Sequence, residues 1–218
     1  MPRKAPRRTA ERIREAALAL FNRYGEPAVS TTQIAAELGI SPGNLHYHYP
    51  AKDGLVNTLF DAYAQSLAEV LPAAAGVRDV EDLWFVVHRL TESIWAYRFL
   101  YRDLNLLLSR NRHLEEGMRR VMLAQTAALR QQIAALQSQG LLALEPAEAD
   151  AVATRQAVLL SYWLSYEFAL DPRHALEPER AGAAVLRAAA QPLGLLLPYL
   201  SPTAQEHLRR LLQAYTGA

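Results

Sequence analysis

His46, Tyr47, His48 and Tyr49 stand consecutively between Pro42 and Pro50, with Lys52 just beyond. Three chemistries could use such a run: a metal site on the imidazoles, an extended strand, or a helix that reads DNA. On a helix, His46 and His48 point about 200° apart and cannot hold one ion. On a strand they would share a face, but Pro42, Gly43 and Pro50 within nine residues leave little room for a strand. No metal site and no cofactor are therefore expected from these residues.

A short helix needs neighbours to position it. "TAERIREAALALFNRYG" places Ile13, Ala16, Ala17, Leu20, Phe21 and Tyr24 on one apolar stripe, which predicts a first helix. Thr9 is its expected N-cap and Gly25 its stop. "STTQIAAELG" predicts a second helix with hydroxyl caps, ending at Gly39. The third runs from Ser41 as N-cap and Pro42 at the first helical position to a stop at Pro50. A fourth starts near Lys52 and runs towards Pro72.

The second and third helices meet the needs of a helix-turn-helix. Ala35 is small where the two cross, and Gly39 tolerates the positive φ of a tight turn. Ile34, Leu38, Ile40 and Leu45 supply apolar anchors. With Leu45 and Tyr49 facing inward, Asn44, Tyr47 and His48 face outward or flank. Asn44 suits an adenine edge, Tyr47 a phosphate oxygen or a thymine methyl, and His48 can donate or accept.

At these positions the chain resembles the DNA-binding domain of TetR-type (TetR/AcrR) transcriptional regulators. The matching residues are Thr32, Ile34-Ala35, Gly39-Ile40-Ser41, Asn44-Leu45, Tyr47-His48-Tyr49 and Lys52-Asp53-Gly54-Leu55. The resemblance covers roughly residues 9 to 60. It implies that Thr32 caps the second helix and bonds a phosphate. It also implies that Ser41, Pro42, Gly43 and Asn44 open the reading helix, that Tyr47 and His48 follow one turn in, and that Lys52 binds the DNA backbone. Lys52 also stands where a helix N-terminus favours an anion. Two positions depart from the pattern: His46 replaces a tyrosine that touches phosphate, and Tyr49 replaces a phenylalanine. His46 stays in the expected contact set. Tyr49 adds a hydroxyl that needs a partner.

The remaining chain reads as helices near 79–97, 99–109, 112–139, 146–169, 178–197 and 202–215, with breaks at Gly76, Gly140, "DPRH" at 171–174 and "SP" at 201–202. Small residues concentrate on two of them: Ala149, Ala153 and Ala157, then Ala181, Gly182, Ala184 and Ala188. Such residues let helices approach closely, and a four-helix interface between two copies is expected. Pro192 and Gly194 should interrupt the second of these helices. Trp84, His88, Thr91 and Trp95 share one face, and Tyr162, Trp163 and Tyr166 line part of another helix. The resemblance implies that such residues surround a small apolar or amphipathic effector.

Composition agrees. The 218 residues are 51% apolar, rich in Ala and Leu, with no cysteine, which favours helix and fits a reducing compartment. The net charge of +1 conceals an asymmetry: residues 1–54 carry eight Lys/Arg and five Asp/Glu, whereas 55–218 carry fifteen and seventeen. Arg3, Lys4, Arg7, Arg8, Arg12 and Arg14 form a basic arm suited to phosphate. No apolar segment follows the arm as a secretory signal would require, and no membrane span is expected. Nucleotide-loop, nucleophile-elbow and zinc-protease motifs are missing from the sequence, so an enzyme is not expected. His113 and Glu116 read as a solvated helix start.

The expectation is an all-α protein: a helix-turn-helix domain over 1–54, then a helical ligand-binding and dimerisation domain over 55–218. It should be a cytoplasmic homodimer acting at the nucleoid. Its partners should be a near-palindromic double-stranded operator and a small-molecule effector that rotates the fourth helix and releases DNA. A constitutive or nucleoid-type binder, and a helical enzyme or ligand carrier, are the alternatives.

Overall fold

The computed structural model describes residues 6–216; Arg3, Lys4 and the Arg7 side chain lie outside the described residues. The elements are α1 (Pro6–Tyr24), α2 (Thr31–Glu37), α3 (Pro42–His48), α4 (Lys52–Val70), α5 (Val80–Ala96), α6 (Arg98–Arg102), α7 (Leu104–Arg110), α8 (Arg112–Ser138), α9 (Pro146–Leu170), α10 (Ala181–Gly194) and α11 (Pro202–Thr216). The chain is all-α: among the described residues the sole β pairing is an isolated antiparallel bridge between Leu142 and Leu200.

Local signals set most boundaries. Gly25 and Gly39 take φ of 84° and 63°, in the left-handed region that glycine tolerates, and end the first two helices. Ser41 caps α3 by accepting from the Asn44 amide at 3.2 Å, with Pro42 in the first turn. Asp79 and Asn111 cap α5 and α8 in the same way. Two expected caps are corrected. Thr9 lies inside α1, which already includes Pro6, so it is not the cap of that helix. Ser30, not Thr32, caps α2: its hydroxyl accepts from the Gln33 amide at 3.2 Å, and its own amide donates to Gln33 Oε1 at 2.7 Å.

Helices α2 and α3 pack on each other and α1 packs on α2 and α4. Ile13, Phe21, Ile34, Ala35, Leu45 and Leu55 are buried there. Tyr24, expected on the buried stripe, is exposed at the end of α1. In the larger half, α8 packs on α9 and on a 3-10 segment at Leu71–Gly76, and α10 packs on α5 and α9. Gly117 brings α8 against α4 so closely that a Cβ there would overlap the Phe60 ring. The buried Tyr63 and Tyr101 hydroxyls bond each other.

The helix expected at 99–109 is broken at Asp103, whose carboxylate turns away to accept from the Glu26 amide at 3.0 Å. The helix expected at 178–197 is a 3-10 turn at Pro178–Arg180 followed by α10, which ends two residues after Pro192. The segment Pro178–Tyr199 passes the length and composition test for a membrane span, at mean hydropathy 1.2. It is interrupted, however, and α10 within it packs on α5 and α9.

Candidate nucleic-acid interface

Helix α3 is held from one side and open on the other. Leu45 is its buried anchor, and Tyr49, half-buried, packs beside it. Ser41, Pro42, Gly43, Asn44 and His46 are exposed, and His48 is half-buried. Tyr47 is 79% exposed, more than any other large apolar side chain among the described residues. Its ring and that of His48 meet edge to face, with centroids 5.2 Å apart. A Cβ at Gly43 would meet nothing within 4 Å, so nothing inside the chain requires glycine there. Thr32 is exposed in the first turn of α2. The expected contacts Thr32, Ser41, Pro42, Gly43, Asn44, His46 and Tyr47 are therefore all open to solvent on neighbouring elements. Burial pushes the Tyr49 hydroxyl's pKa up, partly offset by the charge of Arg14.

Lys52 occupies a different setting. Its ammonium donates to the Glu26 carbonyl at 2.6 Å and pairs with Glu26 Oε1 at 2.9 Å, and lies 5.7 Å from the Phe21 ring centroid. Ala51 offers α4 no side-chain cap, so the first amides of α4 keep room for an external acceptor.

Sequence reasoning missed Glu26. Its carboxylate is 1% exposed and pairs with both Lys52 and Arg110, while its amide bonds Asp103. Burial raises the Asp103 pKa against the opposing pull of its amide bond and of Arg102. Asn22 adds a second tie: its side chain donates to the Ala96 carbonyl at 2.8 Å and accepts from the Phe99 amide at 3.1 Å. The end of α1 and the loop after it are thus bonded to the end of α5, to α6 and to α7 through groups 74 to 84 residues away. No local pattern announces such pairs.

The seven expected effector residues do not converge. His88 and Trp95 line a cavity of about 400 Å³ between α5 and α10, with Gly182, Val185 and Leu186 opposite. Trp84 stacks on His88 at 4.8 Å. The His88 Nδ1 is enclosed without a hydrogen-bond partner. The Thr91 hydroxyl is buried and donates to the Val87 carbonyl at 2.9 Å. Trp163 donates to Glu167, which also holds Arg187 at 2.7 Å through each carboxylate oxygen. Tyr162 and Tyr166 lie outside, on a stripe with Val158 and Leu170, each four residues from the next and each about half or more exposed. The small residues Ala149, Ala153, Ala184 and Ala188 are buried within the chain, where α9 and α10 pack together.

The family described as "Bacterial transcriptional repressor" (TetR) matches residues 62–208, and that described as "Bacterial regulatory proteins, tetR family" matches residues 13–59. A Bacillus subtilis (strain 168) protein named "Probable HTH-type transcriptional regulator YttP" is 24% identical over 106 residues. That match covers 45% of this chain and 51% of the relative, about half of its length. A TetR-family regulator from Marinobacter aquaeolei VT8 superposes with a TM-score of 0.78 at 28% identity, over 95% of this chain and 98% of the other. A gamma-butyrolactone receptor (ArpA-like protein) shares the fold, with a TM-score of 0.63 at 16% identity, over 97% of this chain and 98% of the other.

Proposed function

The chain belongs to the TetR family of bacterial transcriptional regulators, and we propose that it is a homodimeric repressor released from its operator by a small molecule. The observation that carries this reading is the open face of α3: Asn44, Tyr47 and His48 stand uncovered or flanking on a helix whose anchor, Leu45, is fully buried. Planar polar groups on an exposed helix suit base edges in a major groove. In this reading residues 1–54 are the reading head and 55–218 the larger half, and the protein works in the cytoplasm at the nucleoid.

One short helix supplies too few contacts for tight binding, so two copies would place their α3 helices about 34–36 Å apart. The stripe Val158–Tyr162–Tyr166–Leu170 on α9 supports a second copy as its cover, because long exposed apolar rows mark association surfaces. Thr32, Ser41 and His46 would take phosphates, and Lys52 would do so once its bond to Glu26 is exchanged for DNA.

The apolar cavity at His88 and Trp95 is the first candidate for the effector. An effector that prefers another setting of α5 and α6 would carry α1 with them through Asn22, Glu26 and Asp103. That would turn α4 and change the spacing of the two heads. The test is selection of bound DNA from a random library followed by footprinting. A two-fold symmetric site is expected; an unsymmetric footprint or failure to enrich any site counts against the reading.

A further inference from the structure

A cavity of about 570 Å³ lies where the end of α1 meets α6 and the segment after α9. It is separate from the α5–α10 cavity, and its walls come from both halves of the molecule. Arg23 and Tyr24 belong to α1, Arg102 to α6, Phe168 to α9, and Arg173 and Leu176 to the segment that follows.

The charge here is unusual. Among the described residues, no carboxylate lies within ion-pair distance of Arg23, Arg102 or Arg173, although Glu177 and Glu179 also line the cavity. The Arg102 guanidinium stands 4.6 Å from the Phe168 ring centroid, with the Asp103 carboxylate nearby. Behind the wall, Arg98 is 7% exposed and again has no carboxylate. It donates to the Leu176 and Trp95 carbonyls at 3.2 Å each and stacks on the Trp95 ring. Burial lowers its pKa to about 10, so it stays charged at neutral pH. Three guanidiniums, Arg23, Arg102 and Arg173, therefore line the cavity with two carboxylates, Glu177 and Glu179, neither of them within ion-pair distance of these arginines. A guanidinium fork matches a carboxylate, and its desolvated face favours an aromatic neighbour. The volume is that of a site for a small organic molecule.

We propose that this cavity binds a small organic anion, a carboxylate carried on an apolar ring, held by Arg102 and Arg173 of the larger half and Arg23 of the reading head. The ring lies against Tyr24, Phe168 and Leu176. Such a ligand ties α1 to α6 and fixes one setting of the head. That regulatory consequence rests on the DNA-binding reading above; the binding itself does not.

The test is calorimetric titration of the full chain without DNA, using 1-naphthoate, its neutral amide 1-naphthamide, and inorganic phosphate. Naphthoate is expected to bind saturably, at least tenfold tighter than either of the others. Arg102→Met and Arg173→Met should each weaken it at least tenfold, with thermal melts showing both variants folded. Arg173 is exposed, so its variant keeps the test valid should Arg102→Met unfold. No binding of naphthoate, equal binding of the amide or of phosphate, or full binding by Arg173→Met would each overturn the proposal. A protein that binds naphthoate as expected yet selects no DNA site would leave the cavity standing and remove the repressor reading.

Discussion

The Lys52 ammonium stands 2.9 Å from Glu26 Oε1, and the same carboxylate, 1% exposed, also holds Arg110. One buried acid thus joins the start of α4 to the end of α7. Removing it strands two cations. A fully buried pair costs roughly 3–5 kcal/mol when one partner goes, and the partial exposure of Lys52 and Arg110 reduces that. Glu26→Gln should lower stability by on the order of 2 kcal/mol in urea unfolding. A loss under about 0.5 kcal/mol, the range of ordinary surface changes, would show that the cluster holds nothing.

Two glycines separate packing from recognition. Gly117→Ala drives a methyl into the buried Phe60 ring and should cost about 1–3 kcal/mol of stability. Gly43→Ala meets no neighbour, so its stability should stay equal or rise by up to about 1 kcal/mol, since alanine suits a helix better. Its operator affinity should nevertheless fall, because the added methyl stands between α3 and the duplex. Thermal melts and binding titrations on both variants check the pair.

The α9 stripe predicts the oligomeric state. Tyr162→Glu with Tyr166→Glu puts two charges on a face that is exposed in the single chain. The variant should keep its helical content yet sediment as a monomer. Its affinity for a two-half-site operator should then drop by a hundredfold or more, about 2.8 kcal/mol. An unchanged dimer would move the interface elsewhere.

Alkaline pH tests the buried tyrosine pair. Burial raises the Tyr63 pKa, with the neighbouring Tyr101 hydroxyl adding to the rise. Burial likewise pushes Tyr101 from 10.0 to about 12, and the Tyr63 and Gln125 contacts oppose it. The folded state binds the proton more tightly than the unfolded chain. The stabilising contribution is therefore complete below pH 10 and is lost as pH climbs through the raised value. Wild type should lose stability steeply between pH 10 and 12, and Tyr63→Phe with Tyr101→Phe should flatten the slope. An equal slope in both would contradict the assignment.

The helix-turn-helix was legible because its signals are local. Ser41 and Pro42 start α3, Gly39 turns the chain, and Leu45 anchors the helix, all within seven residues. Capping misled where several hydroxyls competed: Ser30 took the place expected of Thr32, and Thr9 fell inside α1. The break at Asp103 was illegible in local signals, and so was the bond from the Glu26 amide, 77 residues away, to its carboxylate. Helical spacing placed Tyr162 and Tyr166 on one side of α9, but spacing cannot say whether that side meets the core, a ligand or a second chain. The small residues of α9 and α10 had the same ambiguity: Ala149, Ala153, Ala184 and Ala188 pack inside the chain, whereas Gly182 stays exposed.

The most direct test is fluorescence anisotropy with the selected operator, comparing wild type with the Asn44→Ala, Tyr47→Ala, His48→Ala triple variant at one fixed salt concentration. The triple variant should keep its fold and its weak affinity for unrelated DNA, and should lose at least a hundredfold in operator affinity. Unchanged operator binding by a folded triple variant would contradict the assignment of α3 as the helix that reads DNA.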